Sequence, residues 1–240
     1  MKRTRSIRAV ETPVTRDLDP VARDVVACER CPRLRAYCLE VARVKRKAFQ
    51  HEEYWGLPIP GFGDPQAWLL ILGLAPGAHG ANRTGRMFTG DRSGEWLYGE
   101  LHRQGLASGP RSVSRDDGLT LRGAYIAAAA RCAPPDNKPT LTELDHCREY
   151  LIREMAALPN VRVRLALGRI AFDAFWKARR ELGLPPLAPR PEFKHGESVP
   201  LPEGGFLLAS YHPSQQNTST GVLTAAMWRG VFDKAQALRV

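Results

Sequence analysis

The amino-acid sequence predicts an α/β fold, a three-layer α/β/α sandwich around a central, mostly parallel sheet of four strands. Two observations predict it. Short apolar runs alternate four times with segments of helical periodicity. Polar loops also follow three of these runs directly, and open α/β sheets place their ligand sites at such strand ends. The three loops are therefore expected to converge on one edge of the sheet.

The four predicted strands are the apolar runs at residues 68–72, 124–130, 162–168 and 206–211. The first run, WLLIL, is bounded by turn residues, which indicates a strand buried on both faces. Helices are predicted at about residues 20–47, 94–104, 141–155, 169–181 and 219–238. In the last of these, apolar residues recur at intervals of four and three, which predicts a helix that packs on the sheet. This stripe consists of Leu223, Met227, Val231, Ala235 and Leu238.

The 240 residues are enough for one full-sized core. Residues 1–18 contain five basic residues and few large apolar ones, so we predict a flexible basic arm, followed by a single domain at residues 19–240. No apolar run approaches the roughly 20 residues of a membrane span, and no apolar segment typical of a signal peptide follows the basic start. We therefore expect a cytoplasmic protein without a membrane partner, acting as a monomer.

The charge balance favours a polyanionic partner. There are 35 Lys and Arg residues against 25 Asp and Glu, a formal net charge of +10. Each phosphate that a basic side chain neutralises releases counterions and adds affinity for nucleic acid. Many basic proteins bind nothing anionic, so charge alone leaves this open.

The loop GLAPGAHGANRTGRMFTGD, residues 73–91, is the strongest candidate for a ligand site. Its five glycines allow close backbone approach, while its polar side chains and Phe88 supply contacts for a planar, polar ring. A tight structural turn is the alternative. The loop has neither the Gly-Lys-Ser/Thr ending of a P-loop nor the G-x-G-x-x-G spacing. A second polar loop, HPSQQNTST at residues 212–220, is expected to meet it over one pocket.

Four of the five cysteines have the spacing of a metal site. Cys28 and Cys31 form a C-x2-C pair, Cys132 follows the second predicted strand, and Cys147 lies 15 positions later on a predicted helix. Such a set fits a four-thiolate centre of zinc or iron-sulfur type. A redox dithiol and a disulfide framework are the alternatives. Cys38 falls within an apolar pattern and is interpreted as a packing residue.

Together these motifs resemble those of the iron-sulfur uracil-DNA glycosylases, most closely the family 5, or type b, branch. The resemblance extends from Cys28 to the final helix and rests on GLAPGAHGANRTGRMFTGD, the four cysteines and HPSQQNTSTG, in that order. It implies a monofunctional DNA glycosylase that removes uracil, and other deaminated bases such as hypoxanthine and xanthine, from DNA. It also implies a [4Fe-4S] cluster on Cys28, Cys31, Cys132 and Cys147.

The resemblance further implies roles for the loop residues. Phe88 is expected to stack on the extruded base, and His212 to donate to the oxygen on which negative charge develops. Related families have a polar residue where this chain has Ala75, so Asp91 becomes the candidate that activates water; a helix N-cap is the alternative role. Ala128 replaces an asparagine that reads uracil in sister families, which predicts a permissive pocket. The expected substrate-binding residues are Gly73, Ala75, Gly77, His79, Asn82, Phe88 and Ala128.

The loop from Ser214 through Gln215 and Gln216 to Asn217 matches the segment that enters the minor groove in the same family. The alternative is a plain loop at the start of the final helix, capped by Ser219 or Thr220. His195, in a proline-rich connection, is interpreted as a surface residue without a role. Two other functions stay open from the residues alone. They are a non-catalytic nucleic-acid-binding module with a structural metal, and an iron-sulfur redox protein.

Overall fold

The structure, a computed structural model, describes residues 17–239. The predicted basic arm lies outside the described residues except for its last two positions. Asp17 caps the first helix, α1 (Leu18–Val26), by accepting from the amide of Asp19, and Leu18 is buried. Position 18 and its cap position 17 thus belong to the first helix, although the sequence assigned them to the arm.

A six-stranded sheet forms the centre of the described chain. Its strands, listed in chain order, are β1 (Phe62–Gly63), β2 (Leu69–Gly73), β3 (Ala124–Ala128), β4 (Val163–Leu167), β5 (Ser198–Pro200) and β6 (Phe206–Ser210). Across the sheet they lie in the order β1-β3-β2-β4-β6-β5. The four middle strands are the predicted ones and are parallel. The predicted count of four is wrong because a short antiparallel strand is added at each edge.

The helices cover both faces of this sheet. After α1 they are α2 (Pro32–Val44), α3 (Ala81–Thr84), α4 (Arg92–Arg103), α5 (Leu141–Ala157), α6 (Arg169–Glu181), α7 (Gln215–Ser219) and α8 (Ala225–Ala237). Alternate residues of β2 face opposite layers, as the strand period requires. Ile71 packs in one core with Leu97 of α4 and Phe232 of α8. Leu72 packs in the other with Phe172 of α6. The predicted three-layer sandwich is confirmed.

Two predicted helices are interrupted. The stretch at 20–47 is divided between α1 and α2 at the C-x2-C pair, and Pro32 begins α2 because its missing N–H is not needed in a first turn. The final helix does not begin near residue 219. A short α7 precedes it, Gly221 adopts a φ of 75°, and Thr224 caps α8 by accepting from the amide of Met227. The helix at 169–181 is confirmed at both ends.

The parallel strands bring three loops to one edge of the sheet. The loops that follow β2, β3 and β6 leave the carboxyl ends of parallel strands in one sheet, where α/β folds bind ligands. A capping box begins α5: Thr140 accepts from the amide of Glu143, which accepts in return from the amide of Thr140. This fixes the start of the helix that carries Cys147. None of the helices within residues 17–239 has the length and apolarity needed to cross a membrane.

Candidate active site

A cleft of about 870 Å³ lies at the carboxyl edge of the parallel strands. The glycine-rich loop after β2 forms one wall, and the loop after β6 forms the other. Among the residues predicted to form the site, those that line it are Ala75, Gly77, His79, Phe88, Asp91, His212, Ser214, Gln215, Gln216 and Asn217. A second groove, of about 350 Å³ and lined by residues of α5 and α6, contains none of the residues predicted to bind substrate or DNA.

Phe88 and His212, 124 positions apart along the chain, face the same cleft. Their ring centroids are 5.7 Å apart and their planes differ by 26°. The backbone of Phe88 has a φ of 54°, which is rare for a residue with a large side chain. It is held there by its surroundings, since the Tyr98 hydroxyl donates to the neighbouring Met87 carbonyl at 2.9 Å and Gly73 leaves room for the ring. The two remote loops therefore meet over one pocket, as expected.

His212 is neutral in the physiological range. Burial lowers the pKa of this histidine to about 4. A neutral imidazole has one N–H donor and carries no charge that must be solvated. The backbone of His212 is also fixed, because the side-chain amide of Asn217 donates to its carbonyl oxygen at 2.9 Å. His212 is thus a positioned, uncharged hydrogen-bond donor or acceptor at the cleft.

His195 has a defined contact with this loop, which corrects the interpretation of a surface residue without a role. Its Nδ1 accepts from the amide of Tyr211 at 3.0 Å, and its ring stacks on the Tyr211 ring with centroids 4.8 Å apart. Burial lowers the pKa of His195, so the ring stays neutral and Nδ1 remains an acceptor. The proline-rich connection thereby holds the residue that precedes His212. Sequence spacing gives no signal for this contact.

Asp91 both caps a helix and lines the cleft. Its Oδ1 accepts from the amide of Gly94 at 3.0 Å, which is the N-cap geometry of α4. Its Oδ2 faces Gly77 and Gly80, where added Cβ atoms would crowd that oxygen. Burial raises the pKa of Asp91, opposed by the hydrogen bonds from Gly94 and Ser93. A carboxylate with a raised pKa is a stronger base, so the capping role and a basic role are compatible in one side chain.

Backbone amides beside these side chains are available to a ligand. Within residues 17–239, no carbonyl or side-chain oxygen accepts from the amides of Ala75 or Gly77. The Gly77 carbonyl, by contrast, accepts from the amides of Gly80 and Asn82, which fixes the turn. Two amide donors at a strand end form a polar lining suited to a carbonyl oxygen or an anion.

Two buried arginines that the sequence did not single out hold the glycine-rich loop in shape. Arg83 donates to the His79 carbonyl at 2.9 Å and to the Gly90 carbonyl at 3.2 Å, and it pairs with Glu52. Arg86 pairs with Asp117 at 2.7 Å, far along the chain. Each arginine side chain has 5 to 8% of its area exposed. Their signal in the sequence is only that charged residues occur within an otherwise glycine-rich, apolar loop.

Three residues expected to bind substrate do not reach the cleft surface. The Asn82 side chain is buried and its Nδ2 donates to the Cys38 carbonyl at 3.2 Å, so it joins α3 to α2. Gly73 and Ala128 pair as neighbours in the sheet beneath the cleft. Gly73 acts by absence of a side chain, because a Cβ there would lie 2.8 Å from Cζ of Phe88.

The loop expected to enter DNA is partly used within the protein. Ser214 caps α7 by accepting from the amide of Asn217 at 3.2 Å, and the Asn217 side chain is turned toward His212. Gln215 and Gln216 are exposed at the mouth of the cleft. Capping is thus done by Ser214 and, for α8, by Thr224, and not by Ser219 or Thr220. Contact of Gln215 and Gln216 with DNA stays a prediction.

The five cysteines are free thiols that lie near one another. Cys31, Cys132 and Cys147 are buried, and Cys28 is half-buried. Cys147 and Cys28 lie close enough to Cys31 to raise the pKa of its thiol, and Cys147 has the same effect on Cys132. The four predicted ligands thus form one connected group. Cys38 is fully buried beside Cys132 and donates to the Ala133 carbonyl at 3.6 Å, consistent with packing.

The four predicted ligands are the donor set that a thiolate-bound metal centre would use. Within residues 17–239, no three Cys, His, Asp or Glu side chains converge as ligands of one metal ion. Burial raises the pKa of Cys31 to about 11 and also raises that of Cys147, so both stay protonated unless a cation compensates.

Comparison with known proteins shows the family of this chain. A family model described as the uracil DNA glycosylase superfamily matches residues 60–236. A type-5 uracil-DNA glycosylase of Thermus thermophilus is 52% identical over 222 residues, covering 92% of this chain and 98% of that protein. Those of Mycobacterium tuberculosis and Pyrobaculum aerophilum are 48% and 44% identical, covering 89% and 91% of this chain and 79% and 92% of their own lengths. The chain belongs to the uracil-DNA glycosylase superfamily and, within it, to the type-5 family.

Proposed function

We propose that the protein is a monofunctional uracil-DNA glycosylase, which hydrolyses the bond between an extruded base and its deoxyribose and leaves an abasic site. The observation that carries the proposal is the placement of Phe88 and His212 over one cleft, with ring centroids 5.7 Å apart. Membership of the type-5 family supports it. The activity requires the base to leave the DNA stack, because its glycosidic bond is not accessible within a duplex.

The cleft holds the base by its face and by its carbonyl oxygens. Phe88 stacks on the ring, a contact of about 1 to 3 kcal/mol for each base. The imidazole of His212 and the amides of Ala75 and Gly77 donate to the carbonyl oxygen on which negative charge develops. These donors are fixed before the reaction, so little reorganisation is needed as the charge forms.

Water then replaces the base on the sugar. Asp91 takes a proton from the water through Oδ2, the oxygen not used in capping α4. The water oxygen forms a bond to the anomeric carbon, the carbon–nitrogen bond breaks, and its electron pair leaves with the base as an anion. The raised pKa of Asp91 favours this proton transfer.

Other deaminated bases, hypoxanthine and xanthine, fit the same proposal. Ala128 lies buried in β3 and presents no polar group to the base. A site without a side chain that pairs with one particular base edge discriminates less sharply between related rings. DNA is the partner, and the net charge of +10 supports attraction to its phosphates. Gln215 and Gln216 fill the space vacated by the extruded nucleotide.

Cys28, Cys31, Cys132 and Cys147 would hold a [4Fe-4S] cluster. When bound, the cluster supplies a covalent cross-link between the start of α2, the loop after β3 and α5. The chain's own residues support that region independently, because the buried pair of Arg131 and Glu154 also joins the loop after β3 to α5. No step of the hydrolysis passes through the cluster.

The proposal is tested with a duplex oligonucleotide that contains one uracil. Wild-type protein should release free uracil and leave a strand that alkali cuts at the abasic site. His212→Ala removes one donor to the developing charge and should slow release about 100- to 1000-fold. Asp91→Asn should also slow release while preserving DNA binding. Uracil left in place by cluster-loaded wild-type protein would refute the proposal and favour a non-catalytic DNA-binding protein.

A further inference from the structure

A hydrogen-bonded pair beside the cleft, Tyr54 and His79, has no assigned role in the reaction. The Tyr54 hydroxyl lies 3.1 Å from Nδ1 of His79, and the rings meet edge to face with centroids 6.1 Å apart. His79 lines the cleft with Phe88 and Asp91. Tyr54 is 7% exposed and belongs to the segment before β1. The next residues of that segment, Trp55 and Gly56, donate their amides to carbonyls of the glycine-rich loop.

The surroundings of the Tyr54 hydroxyl determine the direction of its hydrogen bond. The amide of Arg46 donates to the hydroxyl oxygen at 3.4 Å. Among the described residues, Nδ1 of His79 is the one acceptor for the hydroxyl proton. A buried hydroxyl without an acceptor is costly, so the proton is donated to Nδ1. Nδ1 is then unprotonated, and the hydrogen of the neutral ring is on Nε2.

Other contacts keep His79 in this state. Burial lowers its pKa, and the positive charges of Arg46 and Arg83 lower it further, so the ring is neutral. The guanidinium of Arg83 donates to the His79 carbonyl at 2.9 Å and fixes the backbone. Nε2, the nitrogen not engaged by Tyr54, is therefore a donor and cannot accept a hydrogen bond.

Resting on the proposed function, we propose that Tyr54 is a positioning residue that fixes the Nε2–H tautomer of His79, and that His79 thereby selects uracil over cytosine and hypoxanthine over adenine. Deamination converts the exocyclic amino group of cytosine or adenine, a hydrogen donor, into a carbonyl oxygen, an acceptor. A ring nitrogen fixed as a donor pairs with this carbonyl in uracil or hypoxanthine and faces a second donor in cytosine or adenine. This contact accounts for a pocket that accepts uracil and hypoxanthine without the polar reader that Ala128 replaces.

The tautomer is measured directly by nitrogen-15 NMR of histidine-labelled protein. The chain has six histidines, so a spectrum of His79→Ala assigns the signal. Wild type should show the Nε2–H form of His79, and Tyr54→Phe should show a mixture of both forms. The matched control is Tyr125→Phe, which removes a buried hydroxyl that donates to Glu154 at 3.3 Å, away from the cleft. The control should leave the His79 signal unchanged.

Selectivity is measured with two oligonucleotides, one containing uracil and one containing 2-pyrimidinone, which lacks the carbonyl created by deamination. Loss of that carbonyl should lower kcat/KM by about 10-fold more in wild type and Tyr125→Phe than in His79→Ala. Tyr54→Phe should lie between them, because part of that variant keeps the Nε2–H form. The difference between proteins isolates the contact, because the chemical difference between the two bases is the same throughout. Tyr54→Phe should also narrow the preference for uracil over cytosine.

The outcomes distinguish the two proposals. Wild-type protein that releases no uracil contradicts the proposed function, whatever the NMR spectrum shows. Active wild type with the Nδ1–H form of His79 overturns the inference alone. So does an equal loss of kcat/KM in all four proteins when the carbonyl is removed. Unfolding of Tyr54→Phe, detected by circular dichroism, leaves His79→Ala to decide, since that variant tests the same contact from the other partner.

Discussion

Replacing Gly73 by alanine should displace the ring of Phe88 and impair base binding. A Cβ at position 73 would lie 2.8 Å from Cζ and 3.0 Å from Cε2 of that ring, whereas carbon atoms pack at about 3.5 to 4.0 Å. The ring must therefore move by roughly 1 Å. It is 5% exposed, stacked on His212 and held by a backbone with positive φ, so the cleft is the direction left to it, and movement there narrows the space for the base.

The magnitude follows from this collision. Inserting a methyl group into a packed region costs about 1 to 3 kcal/mol of stability. Displacing a group in contact with the substrate by about 1 Å can lower the rate on the order of 100-fold. We expect Gly73→Ala to lower the free energy of unfolding by about 1 to 3 kcal/mol. Its kcat/KM for uracil-containing DNA should fall by about 10- to 100-fold.

The assay compares Gly73→Ala with Gly99→Ala by urea denaturation and by single-turnover release of uracil. Gly99 lies within α4, and the nearest atom to an added Cβ is the Pro110 carbonyl oxygen at 4.0 Å. An alanine there should stabilise the helix by up to about 1 kcal/mol and leave activity unchanged. Wild-type kcat/KM in folded Gly73→Ala would refute the role given to Phe88, because the ring cannot keep its position beside the new methyl group.

Four further predictions concern the site and its support. Because the folded-state pKa of His212 lies near 4, below its usual value of about 6.5, its contribution to stability is complete above about pH 6.5 and is lost as pH falls toward 4. Urea denaturation should show this decline at up to about 1.4 kcal/mol per pH unit, and His212→Gln should flatten it. Asn217→Ala removes the hydrogen bond to the His212 carbonyl, so kcat should fall by about 2- to 10-fold in steady-state assays. An unchanged kcat would show that this bond does not orient the imidazole. Arg86→Met removes the guanidinium from Asp117, a half-buried carboxylate that keeps the amides of Val113 and Leu119 as donors, and should cost about 1 to 3 kcal/mol in thermal or urea denaturation. The control is Arg43→Met, whose pair with Glu40 is exposed and which should change stability by less than about 1 kcal/mol. Removal of iron with a chelator under reducing conditions should lower the melting temperature, and a melting temperature insensitive to loss of the metal would argue against the cluster as a cross-link.

The strands that were predicted correctly are those whose own residues specify them. Leu69–Gly73 and Ala124–Ala128 are buried along their whole length, so an uninterrupted apolar run is enough to identify them. The edge strands Phe62–Gly63 and Ser198–Pro200 are two and three residues long and contain glycine or proline. They form because a neighbouring strand offers hydrogen-bonding partners. The two or three residues of each edge strand do not by themselves indicate that such a partner is present.

The helix ends show the same division. Arg169–Glu181 follows from its own pattern, and both of its ends match the prediction. The predicted start of the final helix lies too far toward the amino terminus, because the apolar stripe includes Leu223, which precedes the cap at Thr224. Leu223 is fully buried, but it packs from the loop that precedes the helix. An apolar residue in register with a helix is therefore not always part of it.

The site residues differ in the direction in which the fold points their side chains. His79 and Asn82 are three positions apart in one glycine-rich loop, and their residue types suit a ligand equally well. The structure directs His79 to the cleft, whereas the amide of Asn82 is used to reach the Cys38 carbonyl. His195 contacts Tyr211, 16 positions away, across an antiparallel edge. Whether a polar side chain faces the cleft or bonds within the protein depends on which buried backbone groups lack a partner. Those groups are defined only when distant segments pack.

The sequence by itself determined the sandwich class, the two loops that carry the chemistry, and the group of four cysteines, because strand burial, glycine content and thiol spacing are local properties. Tertiary structure alone decided that Phe88 and His212 share one cleft and that Asp91 caps a helix while lining that cleft. It also decided that Arg83 and Arg86 brace the loop. The physical reason is that stacking, burial and hydrogen-bond pairing act between segments far apart along the chain, and their energies are set by distances that no spacing in the sequence encodes.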